Sequence, residues 1–163
     1  MQTIITIFTV LSMYLNCSQD LNGQYFYNAD IEDGIVKTMY VYEKSDNALV
    51  QYLSYDFTYD AQGRLTEKTV SRWDCWKKAY QPSYQLHIGY SADSYELTRN
   101  DWNERSQSWT PTAEKAVYHL SEGQLTGVSY MKRNGNGDSA YHTVKHLQVL
   151  DTYEGMLLAG LDR

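Results

Sequence analysis

A chain of 163 residues has room for one ordinary domain with a short leader. Aromatic residues make up 14% of it, sixteen of them Tyr, against only two Pro, which excludes a disordered or collagen-like chain. A net charge of −6 argues against nucleic acid as a partner, and two Cys are too few for a disulfide framework or a four-thiolate zinc site.

In chain order, the first feature is apolar. No charged side chain occurs before Asp20 and no Lys or Arg before Lys37. Ile4 to Leu15 is a twelve-residue, mostly apolar run. It is too short for the roughly 20 residues that span a bilayer as a helix. It suits the apolar stretch of a secretory signal, with a buried N-terminal strand as the plainer alternative. Residues 1–19 are therefore expected to be a leader and residues 20–163 a single β-repeat domain. Two forms of processing fit. One is signal-peptidase cleavage between Leu15 and Gln19. The other is lipidation of Cys17, which follows Tyr14-Leu15-Asn16 in a loose lipobox. The expected location is outside the cytoplasm: periplasmic, attached to the outer membrane or extracellular, touching a membrane only through such an anchor.

The middle of the chain carries an internal repeat. Trp73-Asp74-Cys75-Trp76-Lys77-Lys78-Ala79-Tyr80-Gln81-Pro82 aligns with Trp102-Asn103-Glu104-Arg105-Ser106-Gln107-Ser108-Trp109-Thr110-Pro111 at a constant offset of 29. Both prolines and all four tryptophans fall inside these two segments. Weaker copies flank them, one around Ala48 to Tyr59 and one from Met131 to Tyr141. The array is about four units of about 30 residues.

Each unit reads as two strands. Tyr84, Leu86, Ile88 and Tyr90 alternate with Ser83, Gln85, His87 and Gly89, and Leu49, Leu53, Tyr55, Phe57 and Tyr59 share a face in the same way. Turn signals recur at Ser45-Asp46-Asn47, Ala61-Gln62-Gly63, Ala92-Asp93, Glu122-Gly123-Gln124 and Asn134-Gly135. Short turns make neighbouring strands antiparallel. The fold expected is all-β: an antiparallel meander of eight to ten strands in a large twisted or curved sheet, open or partly closed into a barrel. Pro lacks the N–H of a central ladder position, so Pro82 and Pro111 are expected at strand starts or a sheet margin.

Tyr59-Asp60-Ala61-Gln62-Gly63-Arg64-Leu65-Thr66 resembles the tyrosine–aspartate (YD) repeat of bacterial surface and toxin-shell proteins. There Gly supplies a positive-φ turn while the flanking Tyr and Leu pack in the hairpin. The order of a short leader, YDAQGRL, SRWDCWKKAYQP and NDWNERSQSWTP is similar to a family of small exported proteins of gut Bacteroidetes, the domain-of-unknown-function family 3836. The resemblance covers about residues 20 to 150. It implies export and a repetitive β domain, and no known activity.

Catalytic and metal patterns are weak. His142 and His146 lie in an expected strand, where four residues span about 13 Å, too far to share one metal ion. Asn134 to Ser139 is faintly calcium-loop-like but has Lys145 where the loop needs Glu. Cys75 has Lys77 and Lys78 nearby but no adjacent His. Asp56 and Asp60 share a strand face about 13 Å apart, beyond the carboxylate spacing of a glycosidase. No phosphate loop or dinucleotide fingerprint occurs, so no cofactor, metal or catalytic residue is assigned.

The aromatic row remains: Trp73, Trp76, Trp102, Trp109 and Tyr80. These rings either pin the hairpins or present faces to a ligand, since aromatic faces bind sugars and peptide side chains. The expectation is a non-catalytic exported module binding a glycan or an envelope protein. The alternatives are an assembly protein related to YD-repeat shells and a hydrolase of envelope polymers.

Overall fold

The computed structural model describes residues 23–133 and 140–149. Nine strands occur among them: β1 (Tyr25–Glu32), β2 (Ile35–Ser45), β3 (Ala48–Tyr59), β4 (Leu65–Asp74), β5 (Ala79–Tyr90), β6 (Ser94–Asn103), β7 (Ser108–Ser121), β8 (Gln124–Arg133) and β9 (Tyr141–Gln148). They form one antiparallel meander in the order β1-β2-β3-β4-β5-β6-β7-β8-β9, and the sheet is open rather than closed into a barrel. The leader and Cys17, and the Asn134 to Ser139 turn, lie outside the described residues.

The described chain divides into two compact units, residues 23–88 with 99–112, and residues 89–98 with 113–133 and 140–149. In the larger unit, Val36 and Met39 are buried against Tyr27, Ala29, Tyr55 and Phe57. Val41, Leu65 and Val70 are buried as well. The Tyr59 hydroxyl donates to the Val36 carbonyl at 2.9 Å, and burial raises the pKa of that phenol. Asp33 and Gly34, both at positive φ (51° and 75°), close the β1–β2 hairpin. Asp-Gly is a strong sequence signal for this primed turn.

The β3–β4 turn is organised by one carboxylate. Asp60 Oδ1 accepts from the N–H groups of Gln62 and Arg64, both at 2.9 Å, while Oδ2 takes the Arg64 Nε–H at 2.7 Å. Partial desolvation opposes the charge of Asp60, but the Arg64 and Gln62 donors prevail and hold its pKa below the usual carboxylate value. Gly63 turns the chain at φ 74°, and Leu65 re-enters the sheet buried.

In the smaller unit, Ala116 and Val128 are buried and the Tyr95 and Tyr118 rings stack at 4.5 Å. The buried Ser129 hydroxyl bridges two imidazoles, His119 Nε2 at 2.8 Å and His146 Nδ1 at 2.9 Å. Gly127 makes room for this: a Cβ there would lie 2.9 Å from the Leu147 carbonyl oxygen and 3.2 Å from the His146 ring.

β-Bulges account for two departures from the sequence expectation, at Leu49 and Pro82, and a strand end for a third, at Asp60. The β2–β3 register slips between Val41 and Tyr42, leaving Tyr52 as the extra residue on β3. Leu49 therefore falls out of phase with Leu53 and is 53% exposed. Pro82 and Pro111 are each the fourth residue of their strands rather than the first. Pro82 sits at a bulge, where Ser71 pairs with Pro82 and Val70 with Tyr84, so its missing N–H falls at a break in the ladder. Asp60 lies past the end of β3 in the turn, so it does not share a strand face with Asp56.

Candidate functional site: the paired tryptophan hairpins

The two repeated segments fold into the same hairpin end. In the β4–β5 turn, Asp74 Oδ1 accepts from the Trp76 and Lys77 N–H groups at 2.9 and 3.0 Å. In the β6–β7 turn, Asn103 Oδ1 accepts from the Arg105 and Ser106 N–H groups at 3.0 and 3.2 Å. The Asp74 carboxyl is held below its usual pKa, first by the Lys77 N–H and then, against some desolvation, by the Trp76 N–H. Both turns close through a non-glycine residue at positive φ, Lys78 at 52° and Gln107 at 50°. All four positions obey the offset of 29. A short polar side chain that caps its own turn is the reason Asp and Asn stand there.

Behind each turn two rings meet across the strands. Trp73 pairs with Tyr80 in register, ring centroids 5.0 Å apart at 68°. Trp102 meets Trp109 at 4.9 Å and 67°. These edge-to-face contacts are the favoured geometry for aromatic quadrupoles. All four of these residues are half-buried. Tyr80 also lies 6.0 Å from the Tyr40 ring, and its own hydroxyl is buried without a hydrogen-bond partner among the described residues. Burial, then the neighbouring Tyr42 and Tyr40, raises its pKa.

Trp76 is different. It stands at the tip of the first turn, 92% exposed. The rings named by the sequence therefore separate into two groups: Trp73, Tyr80, Trp102 and Trp109 close the hairpins, and Trp76 alone offers an open face.

An open cleft of about 430 Å³ lies beside Trp76. Arg72, Trp73, Asp74, Gln81 and the exposed Cys75 line it, and Glu104 reaches it from the second turn. A second open cleft, of about 510 Å³, is lined by Asp101, Trp102, Asn103, Glu104, Arg105 and Thr110. Aromatic surface with a few polar groups is the usual make-up of a small-ligand site. No histidine lines either cleft.

Elsewhere on the larger unit, a polar network that the sequence reading did not anticipate crosses β4, β5 and β6. His87 has Nδ1 3.3 Å from Glu67 Oε2 and Nε2 2.9 Å from Asn100 Nδ2. Gln85 Nε2 donates to Glu67 Oε1 at 3.2 Å and to Thr69 Oγ1 at 3.1 Å. The alternation of Gln85 and His87 with apolar neighbours places them on the polar face of β5, and both are half-buried in this network. His142 and His146 both lie in β9, as the strand reading has it. Among the described residues no group of three or more His, Cys, Asp or Glu is arranged to hold a metal ion.

Residues 1–120 match the model of DUF3836, a family of unknown function. A crystal structure of a protein with unknown function from Bacteroides fragilis NCTC 9343 is similar at a TM-score of 0.69 and 20% identity, covering 79% of this chain and 95% of that one. DUF3836 family proteins from Bacteroides vulgatus ATCC 8482 and Parabacteroides distasonis ATCC 8503 give TM-scores of 0.53 and 0.54 at 20% and 21% identity. They cover 55% and 58% of this chain and 91% and 89% of their own. At such identities the likeness is one of fold. No curated protein matches.

Proposed function

The chain belongs to the DUF3836 family, and from that premise we propose that it is an exported, non-catalytic β-repeat module that binds a glycan or protein ligand through its tryptophan hairpins. One observation carries the reading: an indole 92% exposed at a turn, beside an open cleft that mixes aromatic, carboxylate, amide and guanidinium groups. An exposed Trp contributes almost nothing to folding, so its surface is available to a partner. The apolar run from Ile4 to Leu15 supports export. The Asp60 turn, with Gly63 at positive φ and Leu65 buried, supports relating that hairpin to YD repeats.

Trp fluorescence of the wild type and of Trp76→Ala, titrated against a panel of glycans and envelope proteins, tests the reading. A ligand whose binding is abolished by Trp76→Ala supports it. A panel that leaves the wild-type spectrum unchanged, or a ligand indifferent to Trp76→Ala, removes it.

Assembly of copies through sheet edges is a second reading. In its favour, β9 ends the strand order and Val144, Leu147 and Val149 on or beside it are exposed. Light scattering over a wide concentration range decides it, and a strict monomer throughout removes it.

A further inference from the structure

We infer that the two hairpin clefts are consecutive subsites for one extended, uncharged polysaccharide chain; this rests on the binding-module reading above and names its ligand. The two clefts belong to duplicated hairpins. Trp73 and Trp102 occupy equivalent positions in them, as do the turn caps Asp74 and Asn103. In a meander the β4–β5 and β6–β7 turns emerge at the same end of the sheet. They are two strand spacings apart, which is about 9.6 Å. That separation is close to the length of two linked pyranose rings in an extended chain.

Glu104 lines both clefts, so the two share a boundary rather than standing as isolated pits. Each is open to solvent and large enough for a sugar ring with its hydration. A globular protein ligand would need roughly 20–30 residues a side, and each cleft is lined by only a handful. A linear chain laid from one to the other satisfies the geometry.

Charge narrows the chain further. Asp74, Asp101 and Glu104 face the clefts against Arg72 and Arg105. Asp101 Oδ1 takes the Arg99 Nε–H at 2.7 Å, and Arg72 reaches the Tyr52 hydroxyl at 3.5 Å. The balance is mildly negative on a chain that is itself −6, so a polyuronate would be repelled. Neutral hydroxyls can use the carboxylates and guanidinia in turn as acceptors and donors. The subsites are unequal: Trp76 gives the first a stacking face, and the equivalent Arg105 gives the second a donor fork. The chain would therefore be anchored at Trp76 and read at Arg105.

The test uses calorimetry and Trp fluorescence with cello-, manno- and xylo-oligosaccharides from the monosaccharide to the hexasaccharide, and with polygalacturonate. The expected result is binding of at least one neutral series that tightens by tenfold or more once the oligomer spans both clefts, the gain that a linked second contact supplies. Trp76→Ala should abolish binding at every length. Arg105→Ala should erase the length dependence while leaving the short-chain affinity. Far-UV circular dichroism and urea midpoints confirm that both variants are folded. A neutral sugar bound equally at all lengths would overturn the two-subsite inference and leave the binding reading standing. So would tighter binding of polygalacturonate, or a protein ligand lost in Trp76→Ala with no neutral glycan bound. A wild type that binds none of these glycans and no envelope protein would overturn both.

Discussion

Replacing Trp76 by Ala removes an indole that touches almost nothing in its own chain. At 92% exposure it withholds only about 20 Å² from water, given the roughly 250 Å² of a Trp side chain. At about 25 cal/mol per Å² the loss is about 0.5 kcal/mol. Trp102→Ala is the opposite case. Trp102 is half-buried and meets Trp109 edge to face at 4.9 Å. Its removal forfeits most of its buried surface and the ring contact, for an expected cost of about 2–4 kcal/mol. The ring term can be isolated. A double-mutant cycle of Trp102→Leu with Trp109→Leu should return a coupling of about 0.5–1.5 kcal/mol.

Urea unfolding followed by far-UV circular dichroism is the assay, because it does not depend on the fluorophores being removed. Both residues lie in the larger unit, so the comparison is made within one body. If Trp76→Ala cost more than about 1 kcal/mol, or Trp102→Ala less than about 0.5 kcal/mol, the division into a free ring and closing rings would be wrong. The assignment of the ligand face to Trp76 would fall with it.

Four further outcomes follow from local geometry. Lys78→Gly should stabilise by about 0.5–1 kcal/mol in urea unfolding, since relief of left-handed strain exceeds the added freedom of the unfolded chain. Gln107→Gly should gain less, because it also loses the Gln107 Nε2 bond to the Glu104 carbonyl at 2.7 Å. Gly127→Ala should cost about 1–3 kcal/mol by thermal unfolding, since its Cβ would meet backbone at 2.9 Å, whereas Gly89→Ala, with open space around it, should be neutral or stabilising. Tyr80→Phe should stabilise by about 1 kcal/mol in the same measurement, because it keeps the ring and deletes a buried hydroxyl that has no partner among the described residues. Burial holds Tyr59 above its ordinary pKa of 10.0, so its contribution to stability is fully present below that pH and is lost as pH rises through the folded-state value. Urea midpoints measured upward from pH 9 should therefore decline, and Tyr59→Phe should flatten that limb.

The repeat was legible because its signals are local. Asp74, Asn103 and the four tryptophans mark turns that each segment closes with its own atoms. The same holds for Asp46-Asn47, Ala61 to Gly63, Ala92-Asp93 and Glu122-Gly123, which fall between successive strands as expected. What stayed hidden depends on the partner strand. The bulge at Tyr52 that turns Leu49 outward is a mismatch between β2 and β3, and neither strand declares it alone. The alternation of β5 puts His87 on the polar face, but its partners Glu67 on β4 and Asn100 on β6 are not written in that strand. The separation of Trp76 from its neighbours was equally out of reach. Trp73 and Trp76 stand three residues apart in the sequence, and only the strand end at Asp74 places one on the sheet and the other on the tip.

Comparing the two hairpins with each other separates what the fold requires from what a ligand would read. The positions that build the turn keep their chemistry or their geometry: a capping Asp or Asn, a residue at positive φ near 50°, an edge-to-face ring pair and a Pro in the strand that follows. The three turn positions between cap and positive-φ residue keep neither. Cys75, Trp76 and Lys77 stand where the second hairpin has Glu104, Arg105 and Ser106. All six are exposed, so folding places little constraint on them. Cys75, Trp76, Glu104 and Arg105 among them also line the clefts. A duplicated hairpin whose frame is constant and whose tip is free can acquire two different contact chemistries without loss of stability. In this chain the two tips carry an indole, Trp76, and a guanidinium, Arg105, about two strand spacings apart.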